Sequence, residues 1–210
     1  MVMTGRFISL EGGEGVGKST QLLLLAEALK ARGLSVVTTR EPGGTPGAEA
    51  IRGLLMTGAV DRWSPRTEAL LFAAARADHV ERVIRPALAA GSWVLCDRFI
   101  DSTRAYQGVA GGLTDDEILA LHRVGSQGLM PDRTLVLTMP VAAATARMVA
   151  RDGADADRFA ARSDGFLDRV ADAFVALAAR EPERFRLVAA DGPAEAVTAR
   201  LVAALADLTS

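Results

Sequence analysis

Short apolar runs alternate with longer stretches of helical spacing along the whole chain. RFISLEG at 6–12 is a compact apolar run that ends on glycines and predicts a buried strand. KSTQLLLLAEALKARG (18–33) repeats leucine and alanine at helical intervals and closes on Gly33, a helix stop signal. LSVVTTR (34–40) predicts a second strand and EPGGTPG (41–47) a loop. AEAIRGLLM (48–56) predicts a short helix. The stretch 64–91 predicts a long one, with Ser64 as N-cap and Pro65 at the first helical position. SWVLCDR (92–98) predicts the third strand, and FIDSTRAYQGVAGG (99–112) an ordered loop or short helix. TDDEILALHRVGSQG (114–128) predicts a helix in which Thr114 and Glu117 have capping-box spacing. DRTLVLTM (132–139) predicts the fourth strand. An Ala-rich helix with an Arg-bearing interruption (145–163) leads into a helix at 166–180, then a last strand at 184–190 and a last helix at 193–208.

Strands that alternate with helices, and that read as continuous apolar runs, predict a parallel sheet covered on both faces. The expectation is a three-layer α/β fold with a five-stranded parallel sheet, spanning 1–210 as one domain. In such sheets ligands bind outside the carboxyl ends of the strands, so the residues that follow each strand carry the chemistry. Composition narrows the picture little: 50% hydrophobic and 24% charged residues are ordinary for a globular protein. A net charge of −2 gives no bulk field for nucleic acid or an anionic membrane, so neither is expected as a partner. The single cysteine, Cys96, excludes an internal disulfide framework. The first residues hold too short an apolar run for a signal peptide, and no stretch reaches the ~20 residues of a membrane span. A cytoplasmic location is expected. His79 and His122 are expected at the surface or half-buried, and Trp63 and Trp93 as packing residues.

After the first strand, Gly12 to Ser19 fits G-x-x-x-x-G-K-[ST]. Four fixed positions match by chance with a probability on the order of 10⁻³, before the strand–loop–helix context is required. The loop (Gly12, Gly13, Glu14, Gly15, Val16, Gly17) and the helix start (Lys18, Ser19, Thr20) form a candidate polyphosphate cradle of backbone N–H groups. Lys18 would reach the β- and γ-phosphates and Ser19 would ligate Mg²⁺. Lysine occurs only at Lys18 and Lys30 in a chain that otherwise uses arginine. A compact ammonium fits between phosphate oxygens where a planar guanidinium does not. After the second strand stand Arg40 and Glu41, read either as a solvated loop pair or as ligand contacts. After the third stand Asp97, a candidate Mg²⁺ partner, and Arg98, a candidate phosphate clamp. Thr103, Tyr106 and Gln107 follow as groups suited to a base edge or sugar. Arg147, Arg151 and Arg158 lie in a basic segment, about 147–160, read as a lid.

FISLEGGEGVGKSTQ, TREPGGT, LLFAAARADHV, DRFIDSTRAYQG, DRFAARSDGF and EPERFRLV together resemble the thymidylate kinase family, in order and spacing, over nearly the whole chain. The resemblance implies a P-loop NTPase fold and transfer of the ATP γ-phosphoryl to dTMP, with ATP and Mg²⁺ bound and a homodimer as the assembly. It implies that Phe72 stacks on thymine, that Arg76, Thr103 and Gln107 contact the base, and that Tyr106 lies by the sugar. Glu11, Glu41 and Arg52 would frame the sugar and acceptor phosphate, and Arg98 would hold that phosphate. Because Glu14 is acidic, the catalytic arginine would come from the lid. Ala160 stands where members usually carry Glu, and Thr138 where they often carry Asp. The alternatives are another nucleoside or nucleotide kinase of the P-loop class, or a nucleotide-binding switch.

Overall fold

In the structure, a computed structural model describing residues 5–152 and 164–209, the apolar runs form one parallel sheet. Its strands are β1 (Phe7–Glu11), β2 (Val36–Arg40), β3 (Trp93–Asp97), β4 (Arg133–Thr138) and β5 (Phe185–Ala189), in the order β2-β3-β1-β4-β5. The described helices are α1 (Lys18–Lys30), α2 (Pro46–Met56), α3 (Pro65–His79), α4 (Arg85–Ala89), α5 (Ile100–Thr103), α6 (Asp115–Ser126), α7 (Val141–Asp152), α8 (Asp164–Arg180) and α9 (Ala194–Ala203).

Both faces of the sheet are covered, which is why its central strands read as unbroken apolar runs. On one face Ile8, Leu10, Leu95, Leu135 and Leu137 pack against Leu22, Leu25 and Leu29 of α1 and Val197 and Leu201 of α9. On the other, Phe7, Val94 and Cys96 meet Ile84, Phe99, Ile100 and Ile118. Val136 and Phe185 meet Val170, Phe174 and Leu177 of α8. Each such side chain, once buried, contributes about 1.5–3 kcal/mol.

Helix starts follow the sequence closely. The Ser64 hydroxyl accepts from Thr67 N–H, and Thr114 and Glu117 form the full capping box. The long helix predicted over 64–91 is instead interrupted. A π-helical turn, Val80–Ile84, joins α3 to α4, and Arg85 N–H bonds to the Val80 carbonyl five residues back. Pro86 explains it: its ring has no N–H and would collide with the carbonyl four residues before it, and one wide turn absorbs both defects. A second π-helical turn, Arg104–Val109, continues α5.

A buried ionic cluster ties α5 to the elements around it. Asp101 is fully buried. Its Oδ2 accepts from Thr134 Oγ1 at 2.9 Å and Arg184 Nη1 at 2.6 Å, and its Oδ1 from Arg104 Nη1 at 3.0 Å and Arg184 Nη2 at 2.9 Å. Burial opposes the charge, but hydrogen bonding and attraction from Arg184 and Arg104 outweigh it and hold the carboxyl below its ordinary range. Arg104 also reaches Asp115 of α6 and Glu181 beyond α8 at 2.7 Å each.

Removing Asp101 takes from Arg104 and Arg184 their one fully buried carboxylate and leaves them only the partly exposed Asp115 and Glu181. Asp101→Ala is therefore expected to cost about 3–5 kcal/mol and to lower the melting temperature by about 10 °C. Arg6→Ala, which breaks the half-exposed Arg6–Asp132 pair, should cost at most about 1 kcal/mol. Thermal melts of the two variants check both values.

Candidate active site

Strand register assembles the site. Asp97 pairs with Leu10 on one side and Arg40 on the other, so β1, β2 and β3 end at one level. Glu11, Glu41 and Arg98 therefore leave the sheet along one edge.

The β1–α1 loop follows that edge. Gly12 has φ +133°, and a Cβ there would stand 2.5 Å from the Leu137 carbonyl oxygen, so only glycine fits. The loop delivers the chain into α1 with Gly17 as N-cap, no capping side chain and no acidic residue in the first turn. By contrast α2, α3 and α6 are capped by Thr45, Ser64 and Thr114. The first N–H groups of α1 are thus left for an anion, with the helix dipole behind them.

Lys18 is buried, and its Nζ donates to the Gly13 carbonyl at 2.6 Å and the Gly12 carbonyl at 3.3 Å. Burial, then the nearby Arg98, lowers its pKa to about 8. Ser19 Oγ donates to Asp97 Oδ2 at 2.7 Å. This pairs a hydroxyl and a carboxylate oxygen, the donor set a hard divalent cation takes.

Arg98 sits in left-handed backbone geometry, φ 69°, a conformation that costs about 1–2 kcal/mol for a residue with a Cβ. The turn is held by Arg98 N–H on the Leu10 carbonyl at 3.0 Å and by Glu11, whose Oε1 accepts Phe99 N–H at 2.8 Å. Glu11 Oε2 accepts from Ser102 Oγ at 2.5 Å, and Ser102 in turn accepts from Arg98 Nη1 at 3.1 Å. Arg98 also donates to the Gly12 carbonyl at 3.0 Å, to Glu14 at 2.5 Å and to the Tyr106 hydroxyl at 3.3 Å. Its guanidinium carbon lies 5.1 Å from the Tyr106 ring centre. Burial works against the Arg98 charge, and Glu14, Tyr106 and Asp97 more than compensate. For Glu11 burial dominates, with the Asp101 charge adding to it, and raises the pKa to about 8.

One face of α3 supplies the opposite wall. Glu68, Phe72, Arg76 and His79 recur at helical spacing. Arg76 Nε donates to Glu41 Oε2 at 2.7 Å and Nη2 to Thr103 Oγ1 at 2.9 Å. Gln107 Nε2 donates to Glu68 Oε2 at 3.1 Å. Phe72 packs partly buried beside Tyr106 and Phe166.

These groups enclose a cleft of about 260 Å³ lined by Glu14, Gly15, Gly17, Lys18, Ser19, Thr20, Arg40, Glu41, Arg52, Phe72, Arg76, Asp97, Arg98, Thr103, Tyr106 and Gln107. Pro42, Met56, Phe99 and Ser102 also line it and were missed from sequence. So were Glu68 and His79, although their spacing from Phe72 and Arg76 on one helix was a usable signal. Glu11 lies behind the wall. Gly12, Gly13 and Val16 instead line an apolar cavity of about 600 Å³ behind the loop, where Thr138 also sits. Arg40 and Glu41 do not pair with each other: Arg40 bonds Glu49 at 3.1 Å, while Arg52 donates to the Pro42 carbonyl at 2.8 Å.

Arg147 is exposed and lies on the other flank of the loop, where it lines a cavity with Gly15, Gly17, Thr20 and Gly192 and donates to the Ala190 carbonyl at 3.3 Å. The Arg151 side chain, Arg158 and Ala160 lie outside the described residues. The two histidines correct their surface assignment. Both are buried, His79 against Glu41 and Thr39, and His122 with Nε2 on the Leu129 carbonyl at 2.7 Å. Trp93 is a buried packing residue as expected, and Trp63 donates to the Leu54 carbonyl at 3.1 Å.

A profile of the thymidylate kinase family matches residues 10–201. The chain is 63% identical over 206 residues to the thymidylate kinase of Rhizorhabdus wittichii, covering 98% of this chain and 99% of that one. It is 53% identical over 197 residues to the thymidylate kinase of Caulobacter vibrioides, covering 94% of each. The crystal structure of thymidylate kinase from Ehrlichia chaffeensis superposes with a TM-score of 0.76 at 32% identity, covering 96% of this chain and 98% of that one.

Because the folded protein raises the Glu11 pKa from 4.5 to about 8, the fold binds a proton there that the unfolded chain releases. Stability from this group is therefore lost as pH rises from about 4.5 to 8. Glu11→Gln, which keeps the shape and cannot ionise, should gain stability relative to the parent across that window. The gain should reach at most about 1.4 kcal/mol per pH unit. Urea midpoints at pH 5, 6, 7 and 8 read it directly.

Proposed function

The chain belongs to the thymidylate kinase family, and we propose that the cleft at the carboxyl edge of its sheet is where dTMP and ATP react. Its activity is that of an ATP-dependent nucleoside monophosphate kinase, a transferase converting dTMP to dTDP on a P-loop fold. The observation that carries the site reading is the position of Arg98, between the glycine loop and the Phe72–Arg76 wall.

An oxygen of the dTMP phosphate attacks Pγ of ATP while the bond from Pγ to the β-phosphate oxygen breaks, releasing ADP. The attacking oxygen is already anionic at neutral pH, so no strong general base is required, and the protein supplies alignment and positive charge. On this reading the donor phosphates lie over the α1 N-terminus with Lys18 between their oxygens. Their charge would draw the Lys18 pKa back up from about 8. Arg98 exchanges Glu14 for the acceptor phosphate. Arg76 commits Nε and Nη2 to protein groups, and Nη1 has no hydrogen-bond partner among the described residues, which supports it as the donor to a pyrimidine carbonyl. Phe72 stacks on the base, Thr103 and Gln107 meet its edge, and Tyr106 closes the space beside the sugar. Glu41 and Arg52 frame the sugar and acceptor phosphate, and Glu11 supports them from behind through Phe99 and Ser102.

The Ser19–Asp97 pair fits Mg²⁺, which would supply charge neutralisation at the donor phosphates. Arg147 sits on the donor flank, which supports a role toward ATP. Arg151 and Arg158 remain the candidates for charge on the transferring group. We read 1–210 as a single domain of this kind with the lid at about 147–160. A cytoplasmic location accords with the absence, among the described residues, of any helix long and apolar enough to cross a membrane. Leu70 and Val124, exposed on the adjoining helices α3 and α6, support a homodimer through that face.

ADP release from ATP and Mg²⁺, measured with dTMP, dUMP, UMP, dCMP and AMP, should rank dTMP first by orders of magnitude. A different leading acceptor overturns the base-pocket assignment, and an acceptor-independent rate overturns the site altogether. Sedimentation should return twice the chain mass, and Val124→Asp should shift it toward one.

A further inference from the structure

We propose that His79 is a positioning residue for pyrimidine recognition: it fixes the Glu41 carboxylate, which in turn aims Arg76 into the cleft. The inference rests on the assignment of Arg76 to the base.

His79 is fully buried and does not itself line the cleft, which it reaches only through Glu41. Its Nδ1 lies 3.0 Å from Glu41 Oε1, and its Nε2 lies 2.6 Å from Thr39 Oγ1. Glu41 is an acceptor only, so Nδ1 carries the proton and donates. In the neutral ring Nε2 then accepts from the Thr39 hydroxyl. The second Glu41 oxygen accepts from Arg76 Nε at 2.7 Å. Arg76 and His79, three residues apart on α3, thus grip the two oxygens of one carboxylate from one helix face. All three side chains are nearly or wholly excluded from solvent.

The imidazole is itself held from three sides. Thr39 on β2 fixes one nitrogen and Glu41 the other. The loop backbone closes over the ring at Gly44, where a Cβ would stand 2.7 Å from both Cδ2 and Nε2 of His79, and where φ is +86°. A ring so confined cannot follow a displaced carboxylate, so the Glu41 plane is set by β2 rather than by the cleft.

Without Nδ1–H, Glu41 Oε1 loses the partner that fixes it, while Arg76 Nε still holds Oε2. The carboxylate then rotates into a two-oxygen grip on the guanidinium, and that grip competes for nitrogens otherwise committed to Thr103 and to the cleft. The effect falls on the base half of the site. Among the described residues, the glycine loop, Lys18 and Ser19 share no hydrogen bond with His79, Glu41 or Arg76.

The test is steady-state kinetics of His79→Phe, His79→Asn and Thr39→Val beside Arg76→Ala. His79→Phe keeps a ring and removes both bonds. It should raise KM for dTMP at least about tenfold, as for loss of a hydrogen bond to a charged group, and leave KM for ATP within about twofold. His79→Asn restores a donor near the Nδ1 position and should recover most of the loss. Thr39→Val frees the far end of the ring and should give a smaller shift of the same kind. Should His79→Phe not fold, the Asn and Val variants decide. The proposal falls if KM for dTMP is unchanged, or if KM for both substrates moves together in every folded variant. If Arg76→Ala leaves KM for dTMP unchanged, the base assignment of Arg76 has failed instead.

Discussion

Taking an ionised group out of water costs several kcal/mol unless an opposite charge and a full set of hydrogen bonds replace the solvent. At the carboxyl edge of this sheet that condition governs nearly every residue. Glu41, Lys18, Arg76 and Asp101 are drawn out of solvent and Arg98 is mostly so, each placed by the partners it must have, while Glu11 instead keeps a proton up to about pH 8. Asp101 needs Arg184 and Arg104, which fixes α5 against β4, α6 and α8. Glu41 needs Arg76 and His79, which fixes α3 against the end of β2. The chemistry at the edge and the packing beneath it are one network, and the hydrophobic layers supply the dry surroundings in which it is worth having.

Lys18 and Arg98 show how the same condition prepares a phosphate site. Both would be costly as bare cations, and both are satisfied by groups that a phosphate can replace: two loop carbonyls for Lys18, a carbonyl and the Glu14 carboxylate for Arg98. A ligand anion competes with these internal acceptors, so part of its gross attraction is offset by the contacts it displaces. Affinity is moderated while geometry is kept.

Much of this was legible in the sequence because it is local. Strand ends, the caps at Ser64 and Thr114, and the glycine loop depend on a few neighbouring residues, and they fold as their order predicts. The resemblance grouped Phe72, Arg76, Thr103 and Gln107, and all four line one cleft. His79 was read as a surface or half-buried residue because its full burial depends on Thr39 and Glu41, some forty positions earlier in the chain. Arg40 and Glu41, adjacent in sequence, take different partners because neighbours on a strand face opposite ways: Arg40 goes to Glu49 and Glu41 to α3. The π-helical turn before Pro86 has a local cause that helical periodicity alone does not register.

The two halves of the cleft solve different recognition problems with different materials. On the proposed reading, phosphates are held by backbone N–H groups, a lysine and arginine, all of which tolerate small shifts because the attraction is largely of charge for charge. A base edge carries no net charge and differs from its competitors by the direction of a hydrogen bond. Rejecting the wrong base therefore depends on protein groups that cannot turn to accommodate it, since discrimination comes from a buried donor left without an acceptor. On the proposed reading, that requirement accounts for a base half built on the face of α3 and backed by buried partners, Glu68 behind Gln107 and Glu41 behind Arg76. A donor on a mobile loop would bind thymine as well and reject cytosine poorly.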